Sequence, residues 1–150
     1  MNQGWIPFAG ILVAVILALD AFVHAYWATG QTWPARTKLS LVQAVLNISN
    51  PHAFKPAFLV PLAVLLWLGA VIMVVRVFQP EILGQLIPDA WLQLAVVVLA
   101  LGFLLRGVAG IGWIIGLMPT RCRLFYRLNL LVYTPVCLIL FLAAVAVASS

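Results

Sequence analysis

The chain has 150 residues, of which 66% are apolar and 7% charged, with a formal net charge of +5. Soluble chains average about 45–50% apolar and about 25% charged. Too little polar side chain is therefore present to cover a water-facing globule, and lipid has to be the main solvent. The eight basic residues are scattered between apolar runs and make no groove-reading surface, so nucleic acid is not expected as a partner. Cys122 and Cys137 form neither a CxxC pair nor part of a metal-ligand cluster, so no disulfide framework, metal or cofactor is expected.

Four runs are long enough to cross about 30 Å of hydrocarbon at about 1.5 Å per residue. The predicted fold is an all-α membrane protein, a four-transmembrane-helix bundle forming one domain over 1–150, with spans at 5–28, 57–78, 90–116 and 128–147. The first run ends near Val23-His24-Ala25, which resembles a cleavage site. It lacks a basic leading region and carries Asp20 within the run, so it is read as a retained span.

Between the first two spans, residues 35–49 have helical periodicity. Leu39, Leu41, Val42, Val45, Leu46 and Ile48 occupy about half the wheel, with Arg36, Ser40, Gln43 and Asn47 opposite and Asn50-Pro51 as a stop. The pattern predicts a short amphipathic helix, lying on the cytoplasmic leaflet or covering the end of the bundle. Span two begins after Phe54-Lys55-Pro56 and carries Pro61 one turn deeper, where a mild kink is expected. Gln79-Pro80 and Pro88-Asp89 punctuate the next connection, with Asp89 placed to cap the third helix.

Span three is rich in glycine. Gly107, Gly110, Gly112 and Gly116 form a candidate packing face, and the last two make a GxxxG pair. That face serves contacts within one chain or a homodimer seam. In span four, Pro135 frees a carbonyl near Leu131, which local distortion must accommodate. Cys137 sits in apolar surroundings and is read as packing.

The basic residues orient the bundle. Arg36, Lys38, Lys55, Arg121, Arg123 and Arg127 flank one side, against Arg76 with Glu81 and Asp89 on the other. The positive-inside rule then puts the first and third loops in the cytoplasm and both termini outside. Arg36, Lys38, Arg121 and Arg123 are expected to meet anionic lipid.

Asp20, His24 and Arg106 are ionisable residues within the spans. Asp20 and His24 are four apart and share a helix face. Trp5 precedes Asp20 by fifteen positions and Trp27 follows it by seven; Trp91, Arg106 and Trp113 repeat both intervals. If the tryptophans mark interfacial belts, the two charges lie at one depth, about 22 Å along their helices. An isolated charge at the bilayer centre costs about 2.5–3.5 kcal/mol on insertion scales, so a direct Asp20–Arg106 pair is expected, with spans one and three as neighbours. The same alignment pairs Ala9 with Ala95, Ala14 with Ala100 and Gly30 with Gly116, as a duplicated helical hairpin would.

The run His24-Ala25-Tyr26-Trp27-Ala28-Thr29-Gly30 resembles the HxYWAxGG segment of a family of small bacterial four-helix membrane proteins of unknown function. Arg106 with its following glycines, Gly116-Leu117 and a basic loop extend the likeness. It closes with Tyr133-Thr134-Pro135-Val136-Cys137-Leu138, which resembles that family's YSPLCL signature. Asn129 stands where the signature has an aspartate, and Gln31 where it has a second glycine. The resemblance implies the four-helix fold and the bacterial inner membrane, and it supplies no activity.

Three function classes remain. The first is a non-enzymatic protein whose Asp20–His24–Arg106 cluster binds a small amphiphile or serves proton-linked transport, or only fixes helix pairing. The second is an accessory or scaffolding subunit of a larger membrane complex. The third is a membrane enzyme, thiol-redox or lipid-modifying, against which the lack of a paired cysteine motif, metal cluster or carboxylate pair argues.

Overall fold

Apolar side chains in unbroken runs leave the backbone no partner in lipid except itself, so each run coils into a helix. The computed structural model describes residues 3–78 and 87–150, and among these no strand occurs. The spanning helices are α1 (Ile6–Ala28), α3 (Pro56–Phe78), α4 (Asp89–Ile114) and α5 (Arg123–Ala148), each long and apolar enough to cross a membrane. A shorter α2 (Lys38–Leu46) lies between the first two. The expected turn at Gln79-Pro80, and Glu81 with it, fall outside the described residues.

α5 begins five residues before the apolar run at 128, so Arg123 and Arg127 are helical. Hydropathy marks where hydrocarbon begins, and a helix is free to continue past that boundary. Pro135 lacks the N–H that would reach Leu131, and the backbone widens into a π turn over Asn129–Tyr133. There the Thr134 N–H donates to the Asn129 carbonyl. α3 runs through Pro61 without a break.

The packing order differs from the expected one. α1 packs most closely on α3 and α4 on α5; the two hairpins then meet mainly through α1 and α5, with a lesser contact between α3 and α4. α1 and α4 therefore face each other across the diagonal of the bundle, and the expected adjacency of spans one and three is not found. The two dominant pairs are each consecutive antiparallel spans, the natural packing partners, and the Asp20 and Arg106 charges do not bring α1 onto α4.

The main core occupies the half of the bundle nearest the two termini. Val13, Ala14 and Leu17 of α1 meet Ala70 and Met73 of α3, Val96 and Ala100 of α4, and Leu140, Ala144 and Val147 of α5. At this end the buried Arg76 guanidinium pairs with Asp89, tying α3 to α4. Asp89 is the first residue of α4, with Pro88 at the cap position, so it serves as an ion-pair partner and not as the expected cap.

At the opposite end, α2 opens with a capping box in which Thr37 and Ser40 exchange side-chain and backbone bonds. Leu41 and Val42 pack on Phe54 and Leu59, with Trp27 alongside, in a second, separate core. Of the two placements considered for the amphipathic segment, this is the cover over the bundle end. α2 stops at Asn47, three residues before the expected Asn50-Pro51, because Asn47 adopts the left-handed conformation (φ 59°).

Asn47 is buried, contrary to its place on the polar face of the wheel. Its Nδ2 donates to the Pro119 carbonyl at 2.9 Å, and its Oδ1 accepts from the Arg121 and Cys122 N–H groups at 2.8 and 3.2 Å. A wheel distinguishes faces of one helix; it has no way to register that a distant loop closes over the polar one.

Candidate functional site

Between the two cores lies a layer in which polar side chains replace the apolar filling. α1 contributes Asp20 and His24. Asp20 is one turn past the buried Leu17 and one turn before His24, so it stands on the inward edge of α1, whereas Leu19 and Phe22 point to the exterior. His24 Nδ1 lies 2.8 Å from the Asp20 carbonyl and 3.2 Å from its carboxylate. The His24 side chain is 13% exposed, whereas that of Asp20 is 51% exposed. The Asp20 carboxylate is thus half exposed midway along an apolar helix, with His24 as its neighbour.

α4 and α5 form the facing wall. The Arg106 guanidinium lies 5.7 Å from the centre of the Trp113 ring and 5.5 Å from that of Tyr133, and it donates to Asn129 Oδ1 at 3.3 Å. Asn129 is fully buried and donates from Nδ2 to the Gly110 carbonyl at 2.8 Å. Its amide therefore bridges the two helices while leaving the guanidinium charge unneutralised. Aromatic faces favour such a cation by about 0.5–2 kcal/mol each, more when water is excluded.

The expected Asp20–Arg106 ion pair is not formed: Asp20 takes His24 as its partner, and Arg106 takes Asn129. Tyr133 also reaches the cover helix, donating to the Ala44 carbonyl over a long 3.5 Å. Cys122 and Cys137 are both free thiols. Among the described residues no three His, Cys, Asp or Glu side chains gather as metal ligands.

The glycines divide by role. A Cβ on Gly107 would come within 2.9 Å of the Leu138 side chain, and one on Gly110 would run into the Thr134 hydroxyl. These two let α4 and α5 approach closely within the chain. Gly112 meets only the Met118 side chain, and a Cβ on Gly116 would meet nothing. Gly116 has φ +80° and ends α4, so the GxxxG pair does not form a helix-packing seam in the chain. Gly30 does the same for α1 at φ +91°. Each of these glycines donates its N–H to the carbonyl of a tryptophan three residues before it, Trp27 or Trp113, at 3.0 and 3.3 Å.

Trp27 of the sequence signature also donates from its indole to the Trp33 carbonyl at 2.9 Å and packs against His24 and Phe54, while Tyr26 is exposed. Pro135 is half-buried beside the π turn. Sequence reasoning missed Asn129, Thr134 and the stacking role of Trp113. A lone amide within an apolar run was the available sign for Asn129. A separate apolar groove of about 360 Å³ lies between α1 and α3, lined by residues that include Ala25, Ala63 and Trp67. Neither Asp20, His24 nor Arg106 lines it.

Residues 17–144 match the family described as Protein of unknown function (DUF3995). The chain belongs to this family. The DUF3995 match takes in every residue of the polar layer, from Asp20 to Cys137, together with α2 and the third loop. It carries no assigned activity, in keeping with the resemblance to an uncharacterised family. No curated protein matches the chain, and no solved structure does.

Proposed function

We propose that this DUF3995 protein is a non-enzymatic protein of the bacterial inner membrane that binds a small amphiphile in the layer between its two cores. One observation carries the reading. Asp20 and Arg106, both within spanning helices, do not pair with each other, and the Asp20 carboxylate is half exposed. Intramembrane charges are costly unless paired or wet, so a layer that holds two of them apart is suited to a polar ligand group. The Asp20–His24 contact adds a proton donor–acceptor pair to the same wall, which would couple occupancy to proton movement.

In this reading both termini face away from the cytoplasm. The exposed Arg36, Lys38, Arg121 and Arg123 meet anionic headgroups at the α2 end. Thermal unfolding of the purified protein in mild detergent, with anionic, zwitterionic and uncharged short-chain amphiphiles, tests the site. Stabilisation that is reduced in both Asp20→Asn and Arg106→Gln is expected. The reading fails if no amphiphile raises the unfolding temperature, or if neither variant changes the response.

A further inference from the structure

We propose that the apolar groove between α1 and α3 is a lipid site. It takes one acyl chain of a membrane phospholipid of net negative charge, whose phosphate lies against Lys55. The site is separate from Asp20, His24 and Arg106, none of which lines the groove.

The hollow follows from side-chain size. α1 and α3 are the most closely packed pair of helices. Along the groove α1 contributes Ala25 and Ala28, and α3 contributes Ala63. Three methyl groups leave about 360 Å³ unfilled, within the range of about 300–1,000 Å³ found for small-molecule sites. Val60, Val64 and Trp67 complete the apolar lining. Trp67 stacks edge-to-face on Phe22 at 5.2 Å, so two rings bound the groove toward the middle of the bundle.

Size selects the occupant. From Val60 to Trp67 the groove follows α3 for about 10 Å. A helix about 10 Å across fills roughly 400 Å³ per turn, so a partner helix outgrows the hollow within a single turn. A hydrocarbon tail enters it lengthwise.

Charge selects the head group. The groove reaches Thr29, at the end of α1, and Ala28 also packs on the second core beneath α2. Its far end therefore lies at the basic end of the protein. The chain has three acidic residues, Asp20, Glu81 and Asp89, and none falls between residues 21 and 80. Lys55 starts α3, its carbonyl accepting from the Phe58 and Leu59 N–H groups. It is exposed and has no acidic partner among the described residues. Lys55 precedes Val60 by five residues, about 7.5 Å along the helix axis. One lysine at a membrane surface favours an anionic lipid by about fivefold.

The test reconstitutes the full chain in phosphatidylcholine vesicles containing increasing fractions of phosphatidylglycerol brominated on its acyl chains. Bromine quenches a tryptophan that it touches. Quenching should include a saturable part, reaching half its extent at a mole fraction about fivefold lower than with brominated phosphatidylcholine. Trp67→Phe should remove that part, and Lys55→Gln should bring the two lipids level. Ala25→Phe fills the groove from an exposed position, and Val64→Phe fills it from the other helix. Both should abolish the saturable part while keeping the parent's unfolding temperature.

Equal quenching curves for the two lipids in the parent chain would overturn the proposal, as would a saturable part that persists in both filled variants. So would a parent that is dimeric in mild detergent and becomes monomeric in Ala25→Phe, because the groove would then hold a second copy. Asp20→Asn and Arg106→Gln should leave the quenching unchanged, so this site and the amphiphile reading above fail independently. Loss of the saturable part in both of those variants would end the separate site.

Discussion

The two halves of this bundle are made of nearly the same residue types and are held together differently. Near the termini, all four spanning helices converge on Val13, Leu17, Met73, Val96, Ala144 and Val147, and apart from the Arg76–Asp89 pair the packing is apolar. Toward α2 the contacts become polar and specific: Asn129 bridges Gly110 and Arg106, Asn47 clamps the third loop, and Trp27 holds Trp33. In lipid, exchanging an apolar neighbour for a lipid tail changes little beyond packing, so the first half depends on dispersion and shape. The second depends on a few hydrogen bonds whose loss has no cheap substitute. Stability in one half is spread over many side chains; in the other it is concentrated in a few.

Single substitutions can break or sharpen this contrast. The largest effect is expected from Asn129→Leu, which leaves the Gly110 carbonyl and the Arg106 guanidinium without their partner. A loss of roughly 3 kcal/mol is expected, read by denaturant titration in detergent. Gly110→Ala should follow at about 2 kcal/mol, because its Cβ meets the Thr134 hydroxyl and forces α4 from α5. Parent-like stability of Gly110→Ala would show that these helices are looser than the geometry says.

Met73→Ala, in the apolar half, should cost about 1–2 kcal/mol through lost packing contacts. It should leave any amphiphile-induced rise in unfolding temperature intact, whereas Asn129→Leu should abolish that rise. Equal loss of the ligand response in both would erase the distinction between the halves. Thr134→Val should change stability least, within about 0.5 kcal/mol. The Thr134 hydroxyl is buried without a hydrogen-bond partner among the described residues, so nothing is lost when a methyl replaces it.

The number of spans, their approximate limits and the helix between the first two were legible in the sequence, because charge and proline interrupt long apolar runs. Which helices touch was not. Leu19 faces outward at 59% exposure while Leu17, two residues earlier, is 3% exposed. Both are leucine, since lipid and core ask for the same chemistry and the pattern that orients a helix in water is missing.

The direct Asp20–Arg106 pair was inferred from opposite charge and from the matching tryptophan intervals. The structure instead gives each a contact from close by in the fold, His24 one turn along for Asp20 and the neutral Asn129 amide on the adjoining helix for Arg106. Asn47 and Asn129 were hard to read for a related reason. An amide carries no charge to attract notice, and its partners lie far along the chain.

The clamp at Asn47 also bears on how the protein is made. Its three partners lie 72 to 75 residues further along the chain. A chain inserted from its N-terminus completes the α1–α3 hairpin while the Asn47 amide is still served by water or headgroups. Its final bonds become available only after the second hairpin has entered the bilayer and its closing loop has emerged. Joining of the hairpins and sealing of the layer beneath α2 are thus one late step in biogenesis, and a first hairpin expressed alone would carry an unsealed end.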